Sequence, residues 1–314
     1  MSGFDPKRFI DDKVEWLRRE IGGETAVVAV SGGVDSSVTA ALGLRAIGER
    51  LRPVFLEDGF MRLGEAERVR KALGRVGLKV QVYDVQEEFI NALTGIKDAE
   101  GKRKAFRETF YRVFSRIASE LGAGIVLQGT IAADIVETKG GVKTQHNVLE
   151  QIGINPMERY GFRVLEPLKE LYKNQVRLVA EALGLPGEIV HRRPFPGPGL
   201  SIRILGEVTR EKLSIIKRAT AVVDEELSDV KCFQAFPVLL EGRATGLAED
   251  GSRKYGYIIA LRVVASEDAM TANYVRLEWG RLEKVRDRLI SAIPEVSRVL
   301  YDITDKPPAT IEFE

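Results

Sequence analysis

Apolar positions in the first half of the chain fall into short runs rich in Val, Ile, Leu and Phe at residues 25–30, 53–56, 79–85 and 125–127. Between them, residues 36–47, 64–76 and 102–121 read as amphipathic helices. Apolar runs alternating with such helices predict a parallel sheet covered on both faces. In such sheets ligands gather beyond the carboxyl ends of the strands. Each polar cluster of this half, at residues 31–37, 57–62 and 128–137, follows a predicted strand. Residues 138–162 carry Gly140-Gly141 and no clear period, which fits a mobile active-site loop.

The pattern changes around residues 186–200. The stretch RRPFPGPGL at 192–200 has three prolines and two glycines, which exclude a helix or a central strand. A helix over 209–227, strands over 232–240 and 255–264, and a long helix over 271–292 are predicted after it, with two short β-like runs at 296–303 and 309–313. Strands and helices no longer alternate regularly. The expected organisation is an α/β domain over residues 1–192 and a smaller α+β domain over 193–314.

Composition narrows the function classes. Lys and Arg number 47 against 46 Asp and Glu, so the overall charge gives no case for nucleic acid or a membrane surface. A single cysteine, Cys232, excludes an internal disulfide framework and suits a reducing compartment. With only His146 and His191 beside it, a structural zinc site is not expected. The N-terminal MSGFDPKRFI lacks an apolar core, and no run approaches the roughly 18 apolar residues of a membrane span. A cytoplasmic protein is expected.

The candidate chemistry starts at AVSGGVDSSV, residues 29–38. A strand, then Ser-Gly-Gly, then a helix beginning near Ser36 presents backbone amides and the positive end of a helix dipole. Gly32 and Gly33 would let the backbone approach a ligand and adopt positive φ, while Ser31, Ser36 and Ser37 would add hydroxyl donors. The alternative is a plain capped turn. The loop lacks both the Gly-Lys-Ser/Thr ending of a Walker A loop and the GxGxxG dinucleotide pattern.

SGGxDS after the first strand resembles the signature of the N-type ATP pyrophosphatases, which cleave ATP between the α- and β-phosphates. KRK (102–104), QGT (128–130), EPL (166–168), RPFPGPGLSIRILGE (193–207), QAF (234–236) and DKPPATIEFE (305–314) are similar, in that order, to the GMP synthetases of that superfamily. The resemblance spans residues 20–314 and implies an adenine-nucleotide alpha-hydrolase-like domain followed by a dimerisation domain. No amidotransferase domain precedes the loop, as in the two-subunit form, where a separate glutaminase chain supplies ammonia. The implied reaction uses MgATP and xanthosine monophosphate (XMP). The XMP O2 attacks the α-phosphorus, pyrophosphate leaves, and ammonia then displaces AMP at C2 to give GMP. Other readings are a NAD synthetase-like ligase and a non-catalytic nucleotide-binding paralogue.

Carried over residue by residue, the resemblance assigns Ser31, Gly32, Gly33, Val34, Asp35, Ser36, Ser37, Leu56 and Gly129 to ATP. Asp35 would meet phosphate through Mg²⁺, since a bare carboxylate repels an anion; otherwise it is an acid favoured at a helix N-terminus. Asp134, Glu137, Lys139, Lys143 and His146 match a lid, near 131–162, that completes the adenylation site. Arg103, Gln234, Lys306, Ile311 and Glu312 match XMP contacts, and Arg203 is a further basic candidate or a structural ion pair. The chain departs from the family at Gln145-His146-Asn147-Val148-Leu149, where two histidines and Asn-Val-Gly-Gly are usual. It departs again at Leu56-Glu57-Asp58-Gly59, usually Val-Asp-Asn-Gly, and at Asp98-Ala99-Glu100, usually Asp-Pro-Glu.

Overall fold

The computed structural model describes residues 3–134, 155–247, 250–267 and 269–314. They cluster into two compact units, one of Met1–Asp58, Gly64–Val85 and Arg107–Arg192, the other of Gly59–Leu63, Gln86–Phe106 and Arg193–Glu314.

The first unit opens with α1 (Pro6–Ile21), whose start is set by Asp5. The Asp5 carboxylate accepts the amides of Lys7 at 3.0 Å and Arg8 at 3.2 Å, and Pro6 occupies the first turn, where its missing N–H costs nothing. There follow β1 (Ala26–Ala29), α2 (Val34–Ile47), β2 (Leu51–Glu57), α3 (Glu65–Gly74) and β3 (Gln81–Asp84). Beyond α4 (Gln86–Leu93), which belongs to the second unit, and α5 (Ala99–Glu120), whose residues through Phe106 do, come β4 (Ile125–Leu127), α6 (Pro156–Tyr160), β5 (Arg163–Leu165), α7 (Lys173–Ala182) and α8 (Gly187–Val190).

Among the described residues, five strands form one sheet in the order β3-β2-β1-β4-β5, every neighbouring pair parallel. Val28 lies opposite Pro53 on one side and Leu127 on the other. The strand order therefore reverses direction between β1 and β4, the place where open α/β sheets bind ligands. Burial explains why the central strands are apolar runs: β4 is buried throughout and β1 nearly so, whereas edge strand β3 is mostly exposed. Helix α2 packs against α1, α7 and the strands, so it is buried on most sides and shows little polar face. Edge strand β5 follows the loop expected at 138–162 and was not foreseen by its pattern.

The second unit holds α9 (Arg210–Glu226), which starts where Thr209 accepts the Lys212 amide at 3.2 Å. A long hairpin follows, β6 (Gln234–Leu247) against β7 (Arg253–Ala265), and α9 packs on β6. The other partners of β7 are β8 (Asn273–Tyr274), antiparallel, and β9 (Val296–Asp302), parallel. Helix α10 (Trp279–Ala292) is shorter than the helix expected over 271–292. Tertiary pairing overrides local propensity there: Ala272 bridges Lys306, Asn273 and Tyr274 pair with β7, and the Val275 amide donates to Val263 O at 2.9 Å. The run at 309–313 is also not a strand.

Candidate functional site

In the first unit, residues 30–33 leave β1 and enter α2. Gly32 takes a φ of +77° and Gly33 an ordinary φ of −74°, so the expectation of positive φ holds for Gly32 and is corrected for Gly33. A Cβ on Gly32 would lie 2.4 Å from a guanidinium nitrogen of Arg192 and 2.5 Å from Val69 Cγ2. Gly33 is the N-cap of α2 and supplies no side-chain acceptor, leaving the first-turn amides of α2 without the cap that a plain turn would provide.

Of the three serines expected to present donors, Ser36 and Ser37 turn their hydroxyls to the loop's own backbone. Ser36 Oγ donates to Gly33 O at 3.2 Å and accepts the Ser31 amide at 3.2 Å. Ser37 is fully buried and donates to the same carbonyl at 2.8 Å. These two hydroxyls brace the loop from inside; the groups left able to meet an anion are the backbone amides, the helix dipole and the exposed Ser31. Val34 and Leu56 are buried.

Asp35 lies in the first turn of α2. Its Oδ2 accepts Lys173 Nζ from the start of α7 at 2.6 Å, while its Oδ1 is buried and has no hydrogen-bond partner among the described residues. A carboxylate oxygen so placed at a helix start fits a divalent cation, since Mg²⁺ commonly binds through one carboxylate plus substrate phosphates. No group of three or more His, Cys, Asp or Glu able to hold a metal alone occurs among the described residues.

Gly129, after β4, passes close to this turn: a Cβ there would lie 3.0 Å from both Asp35 C and Ser36 N. The neighbouring QGT and EPL motifs meet, with Thr130 Oγ1 donating to Glu166 Oε1 at 2.5 Å and Gln128 Nε2 to Thr130 Oγ1 at 3.1 Å. Beneath the loop, Arg192 donates to Gly32 O at 3.2 Å and pairs with Glu65, which is 1% exposed. No local pattern marks Lys173 or Glu65, and Arg192 stands out only as the first residue of the proline-rich stretch, with nothing there to tie it to Gly32. Asp134 accepts the Ile131 amide at 2.9 Å through Oδ2. Glu137, Lys139, Lys143 and His146 lie outside the described residues, as do the departures at Gln145 and Leu149.

In the second unit, Gln234 and Glu312 come together. Gln234 Nε2 donates to Glu312 Oε1 at 3.3 Å and to Pro194 O at 3.1 Å, leaving its Oε1 buried and without a partner among the described residues. Arg203, 2% exposed, grips Glu312 with two bonds of 2.8 and 3.1 Å and lies 4.0 Å from the Phe236 ring centroid. Ile311 packs beside Phe313 on Phe236, Val238 and Ala260. Lys306 Nζ is turned to Ala269 O at 2.8 Å, and Arg103 lies on α5, 3.7 Å from Glu100. The buried Arg262 binds Thr304 O, Thr310 O, Ile311 O and the Asp302 carboxylate, holding the tail where no strand ladder does. Burial pushes the Cys232 thiol above its usual range, with Arg193 acting weakly against it.

Comparison with known proteins covers both units. A family model described as GMP synthase C terminal domain matches residues 221–313, and one described as NAD synthase matches residues 6–116. Three relatives are each named as the B subunit of glutamine-hydrolyzing GMP synthase. That of Methanopyrus kandleri is 51% identical, covering 99% of this chain and 100% of its own. Those of Methanocaldococcus jannaschii and Archaeoglobus fulgidus are 49% and 48% identical with the same coverage. A solved NMN synthetase from Francisella tularensis superposes loosely, with a TM-score of 0.49 and 20% identity over 63% of this chain and 79% of that one.

Proposed function

The chain belongs to the family of GMP synthase B subunits, and from that premise we propose how its residues divide the synthesis of GMP. It is the synthetase component, an ATP-dependent ligase of purine biosynthesis. The observation that carries the assignment of chemistry is the uncapped first turn of α2, with Gly32 in a conformation few other residues adopt and a free oxygen on Asp35.

The amides around Gly32–Ser36 hold the β- and γ-phosphates of ATP, which become the leaving pyrophosphate. Mg²⁺, when bound, neutralises phosphate charge, and Asp35 Oδ1 is the oxygen available to hold it. Lys173 orients Asp35 through Oδ2. Gly129 brings the turn after β4 against the same helix start. Gln234 Oε1 can accept a hydrogen bond from the XMP base and Glu312 is fixed by Arg203 to do the same, with Arg103 and Lys306 as the cations for its phosphate. The XMP O2 attacks the α-phosphorus, and ammonia then takes the place of AMP at C2. Asp134, Glu137, Lys139, Lys143 and His146 belong to the lid that completes adenylation.

Ammonia comes from a separate glutaminase chain. Cys232 is the only cysteine, and its raised pKa is the reverse of what a glutaminase nucleophile requires. Leu247, Tyr255, Leu300 and Ile303 are exposed apolar side chains of the second unit and support its use as a homodimer surface. Among the described residues no helix is long and apolar enough to cross a membrane.

The metal role of Asp35 has a direct test. Asp35→Asn should keep most of the ATP affinity, raise the Mg²⁺ concentration for half-maximal rate, and lower turnover by about 10²-fold, the scale of losing one charged transition-state contact. Titrating Mg²⁺ at fixed ATP separates the cases, and an unchanged Mg²⁺ requirement would remove Asp35 from the metal.

A further inference from the structure

Lys102 is a charged side chain with no exposure to solvent, in the first turns of α5. Lysine is almost never fully buried without a compelling partner. Here the ammonium donates to Ile204 O and to the Glu314 carboxylate, each at 2.5 Å. The other Glu314 oxygen accepts the Gly206 amide at 3.4 Å. Burial lowers the Lys102 pKa, and the Glu314 carboxylate opposes that shift.

The tail that Glu314 ends on has a regular construction. Ile311 and Phe313 enter the apolar cluster on β6 and β7, while the alternate residues Glu312 and Glu314 go to the buried cations Arg203 and Lys102. Upstream, Arg262 takes the carbonyls of Thr310 and Ile311. In place of a ladder, side-chain anchors fix each residue from 310 to 314. Lys102 is the anchor after Glu312, and it immediately precedes Arg103 on the same helix.

We infer that Lys102 is a positioning residue for XMP: through Glu314 it locks the tail so that Glu312 and Gln234 face the nucleotide, and it ties that half of the site to the helix bearing Arg103. The inference rests on the XMP reading of Gln234, Glu312 and Arg103 given above. Lys102 itself touches no substrate atom in this scheme.

The test compares Lys102→Met, Glu314→Gln and the double variant in full-length protein, following XMP-dependent pyrophosphate release. Each single variant should raise the KM for XMP about tenfold or more, the scale of one charge-assisted hydrogen bond, with kcat and the KM for ATP within about twofold of wild type. The double variant should be no worse than the poorer single one, because both substitutions break one link. An unchanged KM for XMP in both single variants would overturn the inference, as would parallel losses in both KM values and kcat, the mark of a general folding defect. If Lys102→Met does not fold, Glu314→Gln decides alone by the same criteria. Wild-type protein without XMP-dependent pyrophosphate release would refute the XMP reading itself, and the inference with it.

Discussion

Gly32→Val is expected to abolish XMP-dependent pyrophosphate release, with a loss of at least about 10²-fold, the scale of an ångström-sized misplacement of reacting groups. At φ +77° a residue with a Cβ costs about 1–2 kcal/mol, and a β-branched one is a true outlier. The new side chain would also meet Arg192 at 2.4 Å. Arg192 cannot easily yield, because it is tied to the buried Glu65, so the loop itself must move. Gly33→Ala is the informative control. Its φ is ordinary, and a Cβ meets only Ser31 Oγ at 3.4 Å, so the free loop should be undisturbed. Any loss in that variant reports a ligand close to Gly33. Nucleotide binding by calorimetry, alongside circular dichroism to verify folding, separates the two effects. Wild-type turnover in Gly32→Val would mean that the loop does not hold the phosphates.

Truncation before Asp305 should have the largest effect on stability. It strips the Glu312 carboxylate from Arg203 and the Glu314 carboxylate from Lys102, two cations that are 2% and 0% exposed. Removing one partner of a buried pair costs about 3–5 kcal/mol. Arg262 would also lose two of its carbonyl acceptors. Together these losses compare with the roughly 5–15 kcal/mol that holds a whole domain folded. The truncated protein should therefore lose the cooperative melting of its second unit, and XMP-dependent activity with it. A truncated protein that melts like wild type would show that these cations find other partners.

The central sheet was legible because strands buried on both faces must be continuous apolar runs, as β1, β4 and residues 53–56 of β2 are. The turn at Ser31–Ser37 was legible because glycine and hydroxyl residues between an apolar run and an amphipathic stretch mark a turn and a helix start. What escaped the reading is set by distant partners. Lys173 meets Asp35 across 138 positions, Arg192 meets Gly32 across 160, and Lys102 meets Glu314 across 212. Nothing local distinguishes Lys102 from a solvated lysine at a helix start. The alternation at 309–313 predicts a short β-like run, and the structure shows no strand there. Period two also suits an extended tail whose apolar residues enter a core while its carboxylates reach buried cations. In the same way, residues 271–278 carry no sign that β7 and Asp305 would draw them out of a helix.

The most direct measurement gives the purified chain MgATP and XMP, with either ammonium or glutamine as the nitrogen source, and follows GMP, AMP and pyrophosphate together. With ammonium, one GMP and one AMP should appear for each pyrophosphate; without XMP no pyrophosphate should form, and glutamine should yield no GMP until the glutaminase chain is added. Orthophosphate in place of pyrophosphate, pyrophosphate released without XMP, or GMP made from glutamine by this chain alone would contradict the assignment.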